Sequence, residues 1–286
     1  MGFRSSVQFI LTLIGILWAV NAPAMDIGLT DVQRLSETRS CLTIIDARHP
    51  SLYKAAHIPG AKSFYWGDHT SPENASPPWA LHPPEKLAAA LTRMGIHRDT
   101  PLVVYGSGKD GYGGEGWAIW VLAYLGHQGP IRLLKGGLPA WQATKLPMST
   151  PEAPIEPPAP TGPSLLLAYN FQLNPQVLAE IPDMDTKRAV PIDTRSFVER
   201  LGDSLPGARA IHWKSFFAQD GFSPLPPDQL KALIQSRDIQ PKQQVIYFCT
   251  GGIRSAWAWL VHTLALPGTA RNFEGGMAVW PGGKTK

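Results

Sequence analysis

The sequence predicts an α/β protein of two related domains, each a parallel β-sheet flanked by helices on both faces. Three observations carry that expectation: an internal repeat, a proline-rich stretch between its copies, and apolar runs that alternate with helix-period segments. The repeat rests on four matches in the same order. IIDAR, with Asp46 and Arg48, returns as PIDTR, with Asp193 and Arg195, and Pro59-Gly60-Ala61 returns as Pro206-Gly207-Ala208, both 147 positions on. LVVYGSG around Tyr105 returns as QVIYFCT around Tyr247, and GGLPAW from Gly136 returns as GGMAVW from Gly275, with offsets of 142 and 139. Small changes in loop length explain the drift, and a unit this long is a duplicated domain rather than a solenoid repeat.

Taken in chain order, residues 1–24 read as a cleaved export signal. Arg4 stands in a short basic region, an apolar run extends from Phe9 to Val20, and Ala22-Pro23-Ala24 offers a small-residue cleavage site. The run is short for a membrane span and no stop-transfer pattern follows, so the mature form is expected in the periplasm with no membrane segment. Residues 25–146 form the first domain. Residues 147–164 are the linker: the stretch from Lys145 to Ser164 carries seven prolines, which favour an extended, semi-rigid spacer. Residues 165–286 form the second domain. There RAVPID and QVIYF read as the near-continuous apolar strands of a buried parallel sheet. PDQLKALIQSR is read as a helix opened by Pro226, Pro227 and Asp228, with Leu230, Leu233 and Ile234 on one face. SAWAWLVHTLAL is a second helix, and GWAIWVLAYLG is its counterpart in the first domain.

Composition narrows the function. A chain of 286 residues with 44% hydrophobic and 17% charged residues has material for two cores. The net charge of +4 is mildly basic, but no Lys/Arg run with interleaved aromatics marks a nucleic-acid surface, whereas small anionic substrates suit the balance. The only cysteines, Cys41 and Cys249, lie in different halves, and two free thiols, one buried and one exposed, are expected rather than a disulfide. His57, His212 and His262 do not stand at metal-ligand spacing with them, so neither metal nor cofactor is expected. Trp141 and Trp280 recur at one place in each copy and read as core; Phe216 and Phe217, after the second PGA turn, read as a pocket wall. A complete two-domain unit makes a monomer the default expectation.

The chemistry concentrates in CTGGIRS, Cys249 to Ser255. A cysteine at the carboxyl end of a buried parallel strand, just before a helix, lies where open α/β sheets place ligand sites. Gly251 and Gly252 free the backbone to turn its N–H groups inward, and the helix N-terminus adds its positive end, so both favour a thiolate. Arg254 adds a planar positive fork suited to an oxyanion. The bland reading is a small buried hydrophobe on an ordinary tight turn. Strand, glycines, arginine and helix in register favour the nucleophile, which here needs no separate base.

At these residues the second half resembles a rhodanese domain, and the chain resembles the tandem-domain sulfurtransferases, on D-x-R, the PGA turn, the C-x4-R-S loop and the terminal GG-x3-W. The resemblance implies a catalytically silent first domain and a second domain in which Cys249 takes a sulfur atom from a small anionic donor, holds it as a persulfide and yields it to cyanide or a thiol. Thr250, Gly251, Gly252, Ile253, Arg254 and Ser255 would then bind donor and persulfide. Arg254 would brace the loop, Ser255 would offer its hydroxyl to the sulfur, and Asp193 and Arg195 would shape the pocket floor or merely close a strand end. A thiol redox partner would keep Cys249 reduced. Thiosulfate-preferring tandem members tend to follow the cysteine with basic residues and mercaptopyruvate-preferring ones with Gly-Ser; Thr250-Gly251-Gly252 is neither. Thiosulfate is the expected donor, because the cradle is small and friendly to anions.

Three rivals are weighed. Cysteine phosphatases use a C-x5-R loop, and the four residues between Cys249 and Arg254 make a smaller ring, better suited to one sulfur atom. Gly106 to Gly111 matches G-x-G-x-x-G, but the acidic residue that should follow is replaced by Arg132 and Lys135, so the segment reads as a degenerate twin of the cysteine loop, with Gly106 or Ser107 in the cysteine's place. The third is a binding module that accepts a persulfide only to deliver it to a partner.

Overall fold

Apolar runs covered on both faces become the central strands of two sheets in the computed structural model, which describes residues 25–150, 168–185, 187–203 and 205–281. The expected export signal, and residues 151–164 of the expected linker, lie outside the described residues. The first unit runs β1 (Ile27–Thr30), α1 (Val32–Thr38), β2 (Thr43–Asp46), α2 (Pro50–Ala55), β3 (Lys62–Ser63), α3 (Pro84–Arg93), β4 (Leu102–Tyr105), α4 (Gly114–Tyr124), β5 (Ile131–Leu134) and α5 (Gly137–Ala143). The second runs β6 (Leu178–Ala179), β7 (Val190–Asp193), α6 (Phe197–Arg200), β8 (Arg209–Ala210), α7 (Pro227–Gln235), β9 (Val245–Phe248), α8 (Ile253–Ala265), β10 (Ala270–Phe273) and α9 (Gly276–Val279). The sheets are ordered β1-β5-β4-β2-β3 and β6-β10-β9-β7-β8, one permutation used twice, and every pairing is parallel.

The register corrects one detail of the repeat. Asp46 pairs with Tyr105 and Asp193 with Phe248, so Tyr105 corresponds to Phe248 rather than to Tyr247. A shift of one residue exchanges the faces of a strand. Tyr105 accordingly packs with Leu35, Leu134 and Trp141, while Tyr247 faces the opposite core with Trp257 and Leu230. Matching the tyrosines by identity overrode the pleat.

The two units are not beads on a spacer. The inner faces of both sheets, with α3, α4, α7 and α8, enclose a single apolar core containing Val104, Trp117, Trp120, Ile192, Tyr247 and Trp257. Smaller clusters cover the outer faces: Trp141 is fully buried in one, and Trp280 packs edge-on to Phe273 beside the other. On α7, Leu230 and Ile234 are fully buried and Leu233 packs alongside, as the helix period predicts.

Helices α4 and α8 meet at the centre because α4 presents glycine there. A Cβ at Gly116 would sit 2.5 Å from Trp257 Cα, a backbone atom with no rotamer to yield. Gly116→Ala should therefore destabilise the protein by about 1–3 kcal/mol, with both units melting earlier in one transition. A calorimetric scan checks this; two separated transitions would show that the core is not shared.

Candidate active site

The cysteine loop is shaped from two sides. Cys249 follows the last residue of β9, and Gly252 turns through a left-handed conformation, φ 86°, into the first turn of α8. From below, the amides of Met277 and Ala278 donate to the carbonyls of Cys249 and Thr250, both at 2.9 Å. Gly276 makes this possible, since a Cβ there would collide with the Cys249 carbonyl. The second glycine pair of the repeat is thus the clamp beneath the loop.

The sulfur receives what this geometry offers. The Gly252 amide donates to Cys249 Sγ at 3.2 Å. The Ser255 hydroxyl lies 3.7 Å from Sγ and 3.0 Å from the Gly252 carbonyl, its one proton serving both. The first turn of α8 leaves further N–H groups without helical partners at this end of the sheet. Of the two free cysteines, Cys41 is the exposed one and Cys249 the buried one, 1% exposed, yet Cys249 lines an open cleft of about 670 Å³.

Arg254 does not point a free charge into that cleft. Its guanidinium makes a fork with Glu199, 2.9 Å to Oε2 and 2.6 Å to Oε1, and Thr250 Oγ1 bridges the two at 3.0 Å from each. Burial opposes ionisation of Glu199, but the Arg254 hydrogen bond and charge, with the Ser196 amide, hold its carboxyl well below the usual range. Burial likewise opposes the charge on Arg254, and Glu199 together with the Cys249 sulfur overcomes it and raises its pKa. Arg195, 3% exposed, is similarly committed: it forks onto Asp193 and reaches the side chain and carbonyl of Asp203. Arg195 lines the cleft floor, while Asp193 stands behind it as the anchor at the end of β7. Arg200 braces the same place by donating to the Arg195 carbonyl at 2.6 Å.

Thr250, Gly251, Ile253 and Arg254 line the cleft; Gly252 and Ser255 lie behind, on the sulfur. One expectation shifts. Phe216 and Phe217 are not a pocket wall: Phe216 meets Tyr247 edge-on, and Phe217 stacks on Trp257 at 4.1 Å, both inside the shared core. Glu199 was not anticipated, although the capping box from Ser196 to Glu199 was visible as S-x-x-E. The opposite wall comes from the first unit, as Trp66, Glu73, Trp79 and Tyr112, for which no local motif exists. Trp79 sits on Gly251, where a Cβ would approach its Cβ to 2.7 Å. The segment carrying it is tied down by the Leu81 amide, which donates to Glu274 at 2.8 Å. Burial pushes the Glu274 carboxyl up to about 7, against the pull of the Leu81 and Gly275 amides.

The first unit's counterpart of the loop is plugged. By register Gly106 stands in the cysteine's place, and a Cβ there would collide with Glu115 Oε2. Glu115 is the counterpart of Arg254, two residues past a left-handed glycine, and it accepts from the Gly108 amide at 3.1 Å. A carboxylate thus fills the cradle that holds sulfur in the second unit. The segment around Gly221 covers this loop, accepting from the Lys109 amide at 3.0 Å.

Glu115 is 2% exposed, its Oε2 has no partner among the described residues, and burial pushes its carboxyl up to about 7. Unfolded, the group ionises near 4.5; folded, it keeps its proton to about 7. Between those values the unfolded chain binds fewer protons, so this residue's contribution to stability falls as pH rises and levels off above about 7. Glu115→Gln should therefore gain stability relative to the parent from pH 5 to pH 8. Thermal melts at the two pH values check it; a constant difference would contradict it.

A family profile described as rhodanese-like domain matches residues 29–144 and 177–282, one copy on each sheet. The chain belongs to the rhodanese-like domain family. Both rhodanese-like copies keep the sheet order, but only the second keeps the cysteine. Similar proteins include the sulfur carrier protein TtuD of Thermus thermophilus, 27% identical over 80% of this chain and 84% of that one. The 3-mercaptopyruvate sulfurtransferase of Escherichia coli K12 is 26% identical over 84% of this chain and 89% of that one. A putative thiosulfate sulfurtransferase, SseA, of Mycobacterium leprae is 28% identical over 80% and 78%. Among solved structures, SseA from Escherichia coli superposes with a TM-score of 0.72 over 88% of this chain and 98% of that one, at 24% identity, which establishes the rhodanese fold.

Proposed function

We propose that this rhodanese-like chain is a sulfurtransferase that carries sulfane sulfur as a persulfide on Cys249, taking it from thiosulfate and yielding it to cyanide or a thiol. One observation carries the reading: the Cys249 sulfur, held by the Gly252 amide at the N-terminus of α8, forms the floor of an open cleft. The Cys249 thiolate attacks the outer sulfur of thiosulfate. The S–S bond of the donor breaks, sulfite leaves with the electron pair, and the new persulfide stays within the turn from Thr250 to Ser255. Cyanide or a thiolate then attacks the outer sulfur, and the thiolate of Cys249 returns. Preformed backbone donors lower the cost of the negative charge carried by the persulfide in both steps. Arg254, Glu199 and Thr250 hold the loop in shape; Arg195 and Asp193 support its floor.

A second donor, 3-mercaptopyruvate, is favoured by the size of the cleft, about 670 Å³ with an aromatic wall, which exceeds what a thiosulfate ion needs. Relatives named for each donor stand at similar identity. Sulfite and pyruvate release, measured with the two donors and cyanide as acceptor, separate the readings. A higher kcat/KM for thiosulfate supports the first, and the reverse order transfers the assignment to 3-mercaptopyruvate. A persulfide that forms but discharges to no small acceptor would make the protein a carrier. Export belongs to the same proposal, and an N-terminus near Met25 in the purified mature protein is its check.

A further inference from the structure

Three aromatic rings of the first unit, Trp66, Trp79 and Tyr112, line the same cleft as Cys249, and no guanidinium in that cleft is left without a carboxylate. Arg195 is matched by Asp193 and Asp203, and Arg254 by Glu199. Glu73 adds a carboxylate that makes no ion pair among the described residues. Among the side chains that line the cleft, carboxylates therefore outnumber guanidinium groups, on a chain whose net charge is +4.

The aromatic wall is also held under backbone tension. Among the described residues four other than glycine have a left-handed φ, and two of them are Trp79, at 55°, and Tyr112, at 58°. Bulky side chains avoid that region, and residues held in it cluster at functional sites. Here the fold compensates through specific contacts. Trp79 rests on Gly251 and is tied through Leu81 to Glu274. Tyr112 stacks on Trp213 with centroids 6.4 Å apart and meets the edge of Trp66 at 6.3 Å. The result is a set of aromatic rings beside carboxylates in the lining of a sulfur-transfer site, an arrangement that attracts cations.

We infer that the first unit selects the sulfur acceptor by charge, and that the acceptor is a small thiol bearing an ammonium group rather than a carboxylate. The inference rests on the persulfide reading above. In the step concerned, the acceptor's thiolate attacks the outer sulfur of the Cys249 persulfide. The bond from Sγ to that sulfur breaks, its electron pair returns to Sγ, and the acceptor leaves with the outer sulfur as its own persulfide. No oxidant or reductant enters. Through this step the ammonium lies against Trp66 and Tyr112, within the field of Glu73.

The test uses the full-length protein, loaded with thiosulfate and verified by intact mass, then discharged by cysteamine, 2-mercaptoethanol or mercaptoacetate at matched thiolate concentration. The expected order of rates is cysteamine, then 2-mercaptoethanol, then mercaptoacetate, with about tenfold between the extremes. Tyr112→Asn, chosen because asparagine accepts a left-handed φ, should cut the cysteine-amine analogue's advantage by about threefold. Glu73→Gln should act with opposite signs, slowing cysteamine and raising kcat/KM for thiosulfate, each by about twofold to threefold. Equal rates for the three thiols, or mercaptoacetate fastest, would overturn the inference while leaving the loaded persulfide intact. Failure to load would overturn the persulfide reading itself, and this inference with it.

Discussion

Cys249→Ser should take no sulfur from either donor and turn over at least about 10⁴-fold more slowly than the parent. The serine oxygen is smaller and can accept from the Gly252 amide in place of Sγ, so the loop and the shared core should survive. Circular dichroism and the melting temperature should match the parent within error, separating lost chemistry from lost fold. Residual turnover above one hundredth of the parent would mean that the reaction does not pass through this sulfur.

The second large effect lies at a residue that touches no substrate. Glu199→Ala removes the acid that binds Arg254 and Thr250 together, leaving a guanidinium with only 15% of its side chain exposed and no carboxylate partner. A fully buried pair broken this way costs about 3–5 kcal/mol; Glu199 is 34% exposed, so screening reduces the expected loss to about 1–2 kcal/mol. The loop is the element that pair holds, so persulfide formation should fall about 10- to 100-fold. Glu199→Gln keeps one acceptor toward Arg254 and should recover part of that loss. In the parent the folded carboxyl ionises well below its unfolded value near 4.5. The contribution of the pair is therefore complete above about pH 4.5 and disappears only as pH falls toward the lower, folded value. An alanine variant as active as the parent at pH 7 would show that Arg254 needs no partner to hold the loop.

The duplication was legible because D-x-R, PGA and GG-x3-W each encode a local necessity. Asp193 accepts the Arg195 amide where β7 ends, and the left-handed Gly275 and Gly276 shape the turn beneath the cysteine. The cysteine loop was legible for the same reason: its parts are contiguous and their order is the geometry. What escaped depends on distance in the chain. Trp66, Trp79 and Tyr112 reach the cleft only because α4 packs on α8, and no spacing within the first half announces that contact. Arg254 was read as support for the loop, but the acid through which it braces that loop escaped, because Glu199 lies on α6, far back in the sequence. Phe216 and Phe217 were placed in a pocket from their position after a turn, and the shared core claimed them. The first unit's counterpart of the loop could be read as missing a cysteine, but its plug, Glu115 standing where Arg254 stands, required the aligned sheets.

The central claim is that sulfur passes through Cys249, and mapping the added sulfur onto peptides tests it most directly. The full-length protein is treated with thiosulfate, digested without reductant and weighed peptide by peptide, before and after cyanide. The account predicts one extra sulfur atom on the peptide containing Cys249, none on that containing the exposed Cys41, and its removal by cyanide. An extra sulfur on Cys41 alone would contradict it, as would a Cys249 peptide that gains no mass from thiosulfate or 3-mercaptopyruvate.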